Sequence, residues 1–404
     1  MKVPRTVPLL FLTIAMAAPA HAQQKSKIIP RKVIIDQDAR GPATTDEQSI
    51  LALIQSPQTD VLGITVVTGD QWRDEEVAHT LRMLEIIGRT DIPVVPGAVF
   101  PLDNSKEFIA HWETLYGKVV YQGAWNWPTG KIHGPFEIPP LVEGAPATKP
   151  ANEDAAHFLI RMVHRYPHQV TIVAAGPLTD LALAVTIDPD FAALAKELVV
   201  MGGSINPQTN DPEFRLNPRR EFNFWMDPEA THAVLHAHWA RIIDTPVDIS
   251  IKTRLTKQMI AEIAKTNTPV AQYIAKYANS EYMWDELAAI SWLDPAVITR
   301  TEKLYLDVSI DHGATYGDTL SWSPGNQPSN FGLLNWPAAP QPRSTGRPDA
   351  AYVCVACPVC SDCVLLTRPA QPVTVNADLD AARFYRDFVT LMTRPTPPVN
   401  LTHR

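Results

Sequence analysis

Short β-branched runs alternate with amphipathic stretches along the first half of the chain. The apolar run at 32–36 predicts a buried strand, and helical apolar spacing follows at 46–55, with acids in its first turn. Further strands are predicted at 61–67, 93–95, 170–174 and 197–201, and further helices at 75–87, 154–166 and 181–187. Such alternation is typical of a parallel sheet covered on both faces. We therefore predict an α/β fold built on an open, mostly parallel, Rossmann-like sheet with helices on both faces.

Two segments interrupt this alternation. The first, 100–150, is rich in loops and prolines and contains Gly123, Trp125, Trp127 and His133, and its length indicates a covering segment with a function. The second, about 321–372, shifts to Pro, Gly, Ser and Asn, which neither a helix nor a central strand tolerates, and is predicted to be a surface insertion. Additional helices are predicted at 228–236, 257–264, 270–282 and 381–393.

The second segment contains every cysteine of the chain, in the run CVACPVCSDC. Cys354, Cys357, Cys360 and Cys363 recur at every third position. Such a run is able to ligate zinc or an iron-sulfur cluster, but it lacks the longer spacer of paired zinc motifs, and its last interval differs from that of bacterial cluster motifs. Disulfide bonds are the competing fate in an oxidising compartment.

The N-terminus has the pattern of an export signal. Lys2 and Arg5 precede an apolar run at 7–18, and the small-residue site Ala20-His21-Ala22 follows. We expect a signal peptide over 1–22 and a mature domain over 23–404. The apolar run is short for a membrane span, and no later stretch approaches about 18 uninterrupted apolar residues. The expected location is the periplasm or the outside of the cell, with no membrane partner.

Composition indicates a globular enzyme with a small-molecule ligand. Of the 404 residues, 45% are hydrophobic and 19% are charged, and the formal net charge is −8. Contacts to nucleic-acid phosphates need clustered Lys and Arg, and the sequence has no such cluster. We therefore expect no nucleic-acid partner.

Carboxylates gather at the predicted end of the first strand. Asp36, Gln37 and Asp38 end that strand, and a Gly-containing loop separates them from Asp46. Ligands of open α/β sheets bind outside the carboxyl ends of strands, and several acids converging there need a cation. Oxygen ligands favour calcium or magnesium, and calcium accepts the irregular mixture of oxygens that loops supply. The alternative to a cation site is a structural role for these acids, in which Asp36 ends the strand and Asp46 caps a helix.

Six motifs, in this order and spacing, resemble the inosine-uridine-preferring nucleoside hydrolase family. They are KVIIDQD, GITVVTGD, VTIVAAGPLTD, VVMGG, EFNFWMDPEA and WDELAAISWLDP, and they extend from about residue 32 to about residue 311. The resemblance implies calcium-dependent hydrolysis of the N-glycosidic bond of a ribonucleoside or related riboside. It also implies a homodimer or homotetramer.

The resemblance also implies roles for individual residues. Calcium is expected to bind Asp38, Asp46, Asp285 and the backbone carbonyl of Ala175, with Asp36 close by. Ribose contacts are expected from Met201, Glu221 and Asn223, with Asp70 at a further position near the sugar. Asn210 or Asn217 is a further candidate for a hydroxyl contact, and His133 matches a family histidine near the site.

The chain departs from the family pattern at three positions. Thr45 replaces the acid commonly regarded as the general base, in a motif three residues longer than usual. Asp70 stands where the family usually has Asn, so Asp70, or else Asp38, is the candidate catalytic base. Trp284 replaces a histidine that protonates the leaving base, which indicates aromatic stacking on the base or else helix packing. The alternative to an enzyme is a calcium-dependent nucleoside- or sugar-binding protein that has lost turnover with the missing acid.

Overall fold

A computed structural model describes residues 29–126, 132–326 and 371–398. The described residues contain nine strands: β1 Arg31–Gln37, β2 Thr59–Val66, β3 Val94–Pro96, β4 Val170–Ala175, β5 Glu197–Met201, β6 Ile242–Thr245, β7 Ile298–Val308, β8 Thr319–Trp322 and β9 Pro372–Leu379. The first seven helices of the described residues are α1 Thr45–Gln55, α2 Arg73–Ile87, α3 Lys106–Tyr116, α4 Ala155–Arg165, α5 Thr179–Ile187, α6 Phe191–Leu194 and α7 Pro212–Leu216. The other seven are α8 Phe222–Met226, α9 Pro228–Leu235, α10 Val247–Ser250, α11 Lys257–Ile263, α12 Pro269–Tyr277, α13 Trp284–Leu293 and α14 Ala381–Thr393.

The strands form one sheet in the order β3-β2-β1-β4-β5-β6-β9-β7-β8. Every pair from β3 to β9 is parallel, whereas β7 is antiparallel to both of its neighbours. The strand order reverses between β1 and β4, which creates a crevice at their carboxyl ends. The predicted open, mostly parallel sheet is confirmed, and it gains an antiparallel edge that the sequence pattern did not reveal.

Alternate residues of β1 face two separate hydrophobic cores. Val33 and Ile35 pack with α1, α2, α13 and α14 on one face of the sheet, while Ile34 packs with α4, α5 and α9 on the other. Because both faces of β1 are buried, its sequence is a continuous apolar run rather than an alternating one. The prediction of helices on both faces is thereby confirmed.

Two predicted segments differ from the structure. The segment 100–150 contains α3, which begins after Ser105, whose hydroxyl accepts a hydrogen bond from the Phe108 N–H. Ile109 and Trp112 bury one face of this helix, a pattern that the surrounding prolines obscured. The helix expected at 270–282 ends at Tyr277, because Ala278 is already extended.

Several features expected from the sequence lie outside the described residues. These are the export signal, Trp127 and the four cysteines, together with most of the predicted insertion. The described part of that insertion shows β8 extending to Trp322 and β9 beginning at Pro372. Within 29–126, 132–326 and 371–398, no helix has both the length and the apolar character needed to cross a membrane.

Candidate active site

A cavity of about 190 Å³ opens at the carboxyl ends of the central strands. Among the described residues that line it, seven carry carboxyl groups and one carries a guanidinium: Asp38, Asp46, Asp70, Glu213, Glu221, Glu281, Asp285 and Arg40. A small molecule fits such a space. The excess of acids means that the cavity attracts cations.

Asp38 follows β1 directly and is packed between two glycines. A Cβ atom on Gly69 would collide with the Asp38 carboxylate, and one on Gly176 would lie 2.7 Å from the Asp38 backbone nitrogen. Asp38 Oδ2 also accepts a hydrogen bond of 3.0 Å from the backbone N–H of Asp70. The ends of β1, β2 and β4 therefore hold this carboxylate in place at the strand-order reversal.

Asp46 and Asp285 enter the cavity from the first turns of α1 and α13, which pack against each other. The partial positive charge of a helix N-terminus favours a carboxylate there. Gln37 connects the two, because its side-chain amide donates to the Asp46 carbonyl at 3.2 Å and to Asp285 Oδ2 at 3.0 Å. Helix packing thus brings together two acids that are 239 residues apart in the sequence.

Arg40 extends from the β1–α1 loop into this group of acids. Its Nη1 lies 3.3 Å from Asp70 Oδ2, its Nε lies 3.8 Å from Asp46 Oδ2, and its Nη2 donates to Glu281 Oε2 at 3.1 Å. Burial lowers the pKa of Arg40, but the carboxylates of Asp70 and Asp46 outweigh burial and hold that pKa above its ordinary value. The arginine is therefore a permanent internal cation, which the sequence analysis did not identify.

The carboxyls of the cavity resist ionisation. Burial, followed by the charges of Asp70 and Asp46, raises the pKa of Asp38 well above its ordinary value. Burial and the charge of Asp70 raise the pKa of Asp46 to about 7. The pKa of Asp285 is also raised well above its ordinary value, by burial and by its close neighbour Asp46. One guanidinium thus leaves much of the negative charge of this cavity uncompensated.

The residues present fit a hard divalent cation. Asp38, Asp46 and Asp285 offer buried carboxylate oxygens, the donor type that calcium and magnesium prefer. A bound dication would relieve the repulsion that raises their pKa values. In the described residues, sets of three donor atoms within 4.8 Å of one another occur at two other places, not here. These three acids would therefore have to draw closer around an ion, and Arg40 lies among the groups that would move.

Thr45, the position of the missing acid, also lines the cavity, but a neighbouring acid engages its hydroxyl. That hydroxyl donates to Glu286 Oε2 at 2.6 Å and accepts the backbone N–H of Asp285 at 3.3 Å. Burial raises the pKa of Glu286 well above its ordinary value. A carboxylate at position 45 would meet the Glu286 carboxyl, so threonine is the residue type that this surrounding accommodates.

Asp70 lies at the boundary between the cavity and a second one beside it. It lines both spaces and is 8% exposed. Burial raises the pKa of Asp70, while Arg40 and a hydrogen bond from Tyr121 lower it again in part. Tyr121 belongs to the segment 100–150, which therefore contributes a side chain to the cavity, as its length suggested. A partly raised pKa makes Asp70 a stronger base than an ordinary aspartate.

The three expected ribose contacts, Met201, Glu221 and Asn223, all line the same cavity. The Asn223 amide donates to the Met201 carbonyl at 3.1 Å, which fixes both residues at the end of β5. Glu221 caps α8 by accepting the backbone N–H groups of Asn223 and Phe224, and it also accepts that of Gly203. Burial raises the pKa of Glu221 to about 7, although these N–H groups oppose the shift.

Aromatic side chains form part of the cavity wall. Trp284 begins α13 and meets Phe214 of α7 edge to face, with ring centroids 5.8 Å apart. Tyr282 lies on the other side of Trp284 at 4.5 Å. Trp284 and Phe214 both line the cavity, which gives a planar ring two apolar surfaces to contact. Asn210 or Asn217 was expected to contact a ribose hydroxyl, but neither asparagine lines the cavity. Glu213 and Phe214 of the same lengthened loop line it instead.

Three other predicted residues do not line this cavity. His133 lines the second cavity, where its Nε2 lies 2.8 Å from Glu75 Oε2. Among the residues that the structure describes, only Asp70 is common to both spaces. Asp36 is fully buried and accepts the Thr65 hydroxyl at 2.6 Å. Ala175 ends β4 opposite Gln37 and is buried beside the cavity rather than lining it.

Comparisons with known proteins identify the family and relatives of this chain. The family model of the inosine-uridine preferring nucleoside hydrolases matches residues 33–386. A probable uridine nucleosidase 2 of Arabidopsis thaliana is 31% identical over 274 residues, 66% of this chain and 76% of that protein. A pyrimidine-specific ribonucleoside hydrolase of Photobacterium profundum is 29% identical over 246 residues, 61% of this chain and 70% of that protein.

Solved structures show the same fold. A plant nucleoside hydrolase superposes with a TM-score of 0.62 at 22% identity, covering 91% of this chain and 100% of that one. A purine-preferring ribonucleoside hydrolase from Gardnerella vaginalis also superposes with a TM-score of 0.62, at 19% identity, covering 90% and 98% respectively. At these identities, the likeness concerns the fold alone.

Proposed function

Because the chain belongs to the inosine-uridine preferring nucleoside hydrolase family, we propose that its acidic cavity hydrolyses the N-glycosidic bond of ribonucleosides with the help of a bound calcium ion. The enzyme class is that of an N-glycosyl hydrolase, as for the relatives named uridine nucleosidase and ribonucleoside hydrolase. The observation that carries the proposal is the meeting of Asp38, Asp46 and Asp285 with Glu221 and Asn223 in one cavity.

The proposed reaction adds water to the anomeric carbon and breaks its bond to the base nitrogen. When bound, calcium supplies polarisation of that water and orientation of the ribose diol. Asp70 takes the proton of the water on its carboxylate. Positive charge develops on the sugar as the base departs, and the surrounding carboxylates stabilise it. The proton taken by Asp70 reaches the departed base nitrogen through solvent, so that the released base and ribose account for all atoms of substrate and water and Asp70 is again a carboxylate.

The aromatic wall is proposed to hold the leaving base. Indole does not act as a general acid near neutral pH, so Trp284 is assigned to stacking, together with Phe214. This assignment places the base against the rings and the ribose against the acids. It explains how leaving-group binding persists without the histidine that the family usually has at position 284.

A panel of nucleosides, assayed for released reducing sugar with and without chelator, tests the proposed reaction. We expect turnover of at least one ribonucleoside and its loss on chelation. We expect kcat/KM for that ribonucleoside to exceed that of its 2′-deoxy analogue by about 100-fold, because polar groups built to bind a hydroxyl are left unpaired without it. Asn223→Ala should reduce this ratio. Binding of nucleosides without turnover would instead support the binding-protein alternative.

The position of Arg40 leads to a second prediction, on metal affinity. Arg40 pairs with the carboxylate of Asp46, which is one of the proposed metal ligands, and with that of Asp70. It therefore competes with a divalent cation for negative charge. We expect Arg40→Met to bind calcium about tenfold more tightly, which corresponds to about 1.4 kcal/mol. Isothermal titration calorimetry measures this directly. Arg161→Met is the matched control, because Arg161 pairs with Glu153 on the surface. Weaker binding in Arg40→Met would show that the arginine positions the acids instead of competing.

Export is proposed on the sequence alone. Lys2, Arg5 and the apolar run at 7–18 before Ala20-His21-Ala22 support cleavage near residue 22 and a periplasmic or secreted enzyme. N-terminal sequencing of the protein recovered from the periplasm or the medium tests this, and an intact Met1 there contradicts it. The homodimer or homotetramer stays a prediction.

A further inference from the structure

Two histidines and an aspartate, none of which lines the acidic cavity, converge between α9 and β7. His232 Nδ1 lies 2.8 Å from Asp307 Oδ1, and His236 Nε2 lies 3.1 Å from Asp307 Oδ2. The two imidazole rings are 4.3 Å apart between centroids. All three donor atoms lie within 4.8 Å of one another.

From this convergence we propose that His232, His236 and Asp307 form a binding site for a transition-metal dication of the zinc class. The two histidines are four residues apart at the end of α9, so they lie on the same face of the helix, and Asp307 comes from the adjacent strand β7. Two imidazole nitrogens and one carboxylate oxygen leave a fourth position for water, which is a common zinc arrangement.

The distances suit such an ion. Bonds of about 2.0–2.1 Å to zinc place neighbouring donors of a tetrahedral site about 3.3 Å apart. The measured separations of 2.8 and 3.1 Å are slightly shorter. They involve the two different oxygens of Asp307, and all three donors lie within 4.8 Å of one another, so the side chains would adjust locally to surround an ion. The side chain of His232 is 36% exposed, whereas those of His236 and Asp307 are 9% and 6% exposed. His232 would therefore move most easily, and it provides a route from solvent.

Local electrostatics also favour a cation. Burial raises the pKa of Asp307, but hydrogen bonds from His232 and His236 outweigh it, and the net effect lowers that pKa. The C-terminal end of α9 carries partial negative charge, which stabilises a nearby positive ion.

Ligand chemistry separates this site from the acidic cavity. Nitrogen donors favour zinc and its neighbours in the transition series, whereas the cavity offers only hard oxygens to calcium. Among the described residues, Asp103, Glu229 and His312 form a second group with three close donors. This group is largely exposed and has a single nitrogen donor, so it is a weaker candidate for a zinc site. A zinc ion at the first group would connect α9 to β7 and stabilise the folded protein.

The test uses the full chain without a histidine tag, freed of metal by chelator and titrated with Zn²⁺ alone in a calorimeter. Cys354, Cys357, Cys360 and Cys363 are changed to Ser in all samples, because thiolates would bind zinc themselves. We expect about one equivalent to bind with a Kd on the order of micromolar or tighter. We also expect zinc to raise the Tm, since a ligand of the folded state stabilises it.

The informative variant is His232→Ala, since His232 is the most exposed of the three ligands and its loss is the least disruptive. We expect it to weaken zinc binding at least about tenfold and to abolish the rise in Tm, with Asp307→Asn doing the same. His164→Ala is the matched control, because this exposed histidine contacts the single carboxylate of Asp188. Absence of zinc binding in the parent protein would overturn the proposal. So would equal binding in folded His232→Ala, which would reduce the cluster to a pair of histidine–aspartate hydrogen bonds.

Discussion

Asp70→Asn is expected to lower kcat by about 100-fold or more while leaving calcium and substrate affinity unchanged. Asp70 is the carboxylate that the chain adds where the family usually has an amide, and it lines the cavity next to the metal ligands. Burial raises its pKa, so its conjugate base accepts a proton more readily than an ordinary aspartate. The substitution keeps the side-chain shape and removes the proton acceptor. Steady-state kinetics with the best ribonucleoside, together with calcium calorimetry, measure both halves of this expectation.

Asp60→Asn provides the matched control for that variant. Asp60 lies near the beginning of β2, where it pairs with Lys32 at 3.9 Å, while Asp70 follows the end of the same strand. We expect its kcat to match that of the parent protein. An undiminished kcat in Asp70→Asn would remove Asp70 from the reaction. The proton would then pass to Asp38, or through a water hydrogen-bonded to Thr45, and Thr45→Val would separate these two routes.

The position of the acidic site followed from local sequence patterns. A continuous apolar run ended by Asp36-Gln37-Asp38 indicates a buried parallel strand, and the carboxyl ends of such strands meet at one edge of the sheet. The structure places Asp38, Asp46 and Asp285 in the same cavity. The resemblance to a family was needed for Asp285, because no local pattern connects position 285 with the first strand.

The residues that the sequence analysis missed belong to loops and to the edge of the sheet. Arg40 was overlooked because its direction depends on the path of the lengthened β1–α1 loop, although a lone arginine between aspartates was an available signal. Glu213 reaches the cavity from the short helix α7 and Tyr121 from an irregular segment, and tertiary packing decides the position of both. The strand β7 escaped notice because five of its first six residues are exposed, so that much of it is polar.

The missing acid at position 45 became intelligible only from tertiary contacts. The family resemblance implies that threonine stands here in place of an acid, and it gives no reason for the change. The structure supplies one, since Glu286 of α13 already provides a buried carboxyl against the Thr45 hydroxyl. Under the proposed function, the proton acceptor would be Asp70 in the loop after β2, where it contacts Arg40 and Tyr121, rather than a residue of α1.

The largest effect is expected from Asp38→Asn, which should abolish stoichiometric calcium binding and lower activity by about 1000-fold or more. Asp38 is the carboxylate nearest the strand-order reversal, held by the Asp70 backbone N–H and enclosed by two glycines. Asparagine preserves both its shape and its acceptor oxygen. Elemental analysis and calorimetry measure the metal, and Asp36→Asn is the matched control because Asp36 is buried against Thr65 outside the cavity.

Thermal unfolding distinguishes this loss of a ligand from misfolding. The pKa of Asp38 is raised in the folded protein, so its ionised form is less stable there than in the unfolded chain. This difference lowers the free energy of unfolding at pH values above the ordinary pKa of an aspartate. Neutral asparagine removes the cost. The Tm of calcium-free Asp38→Asn at pH 7 should therefore equal or exceed that of the calcium-free parent, and added calcium should raise the Tm of the parent alone. Full calcium occupancy in Asp38→Asn would show that the ion is held elsewhere. A lower Tm without calcium would instead show that Asp38 acts mainly as a structural acceptor for the β2 loop.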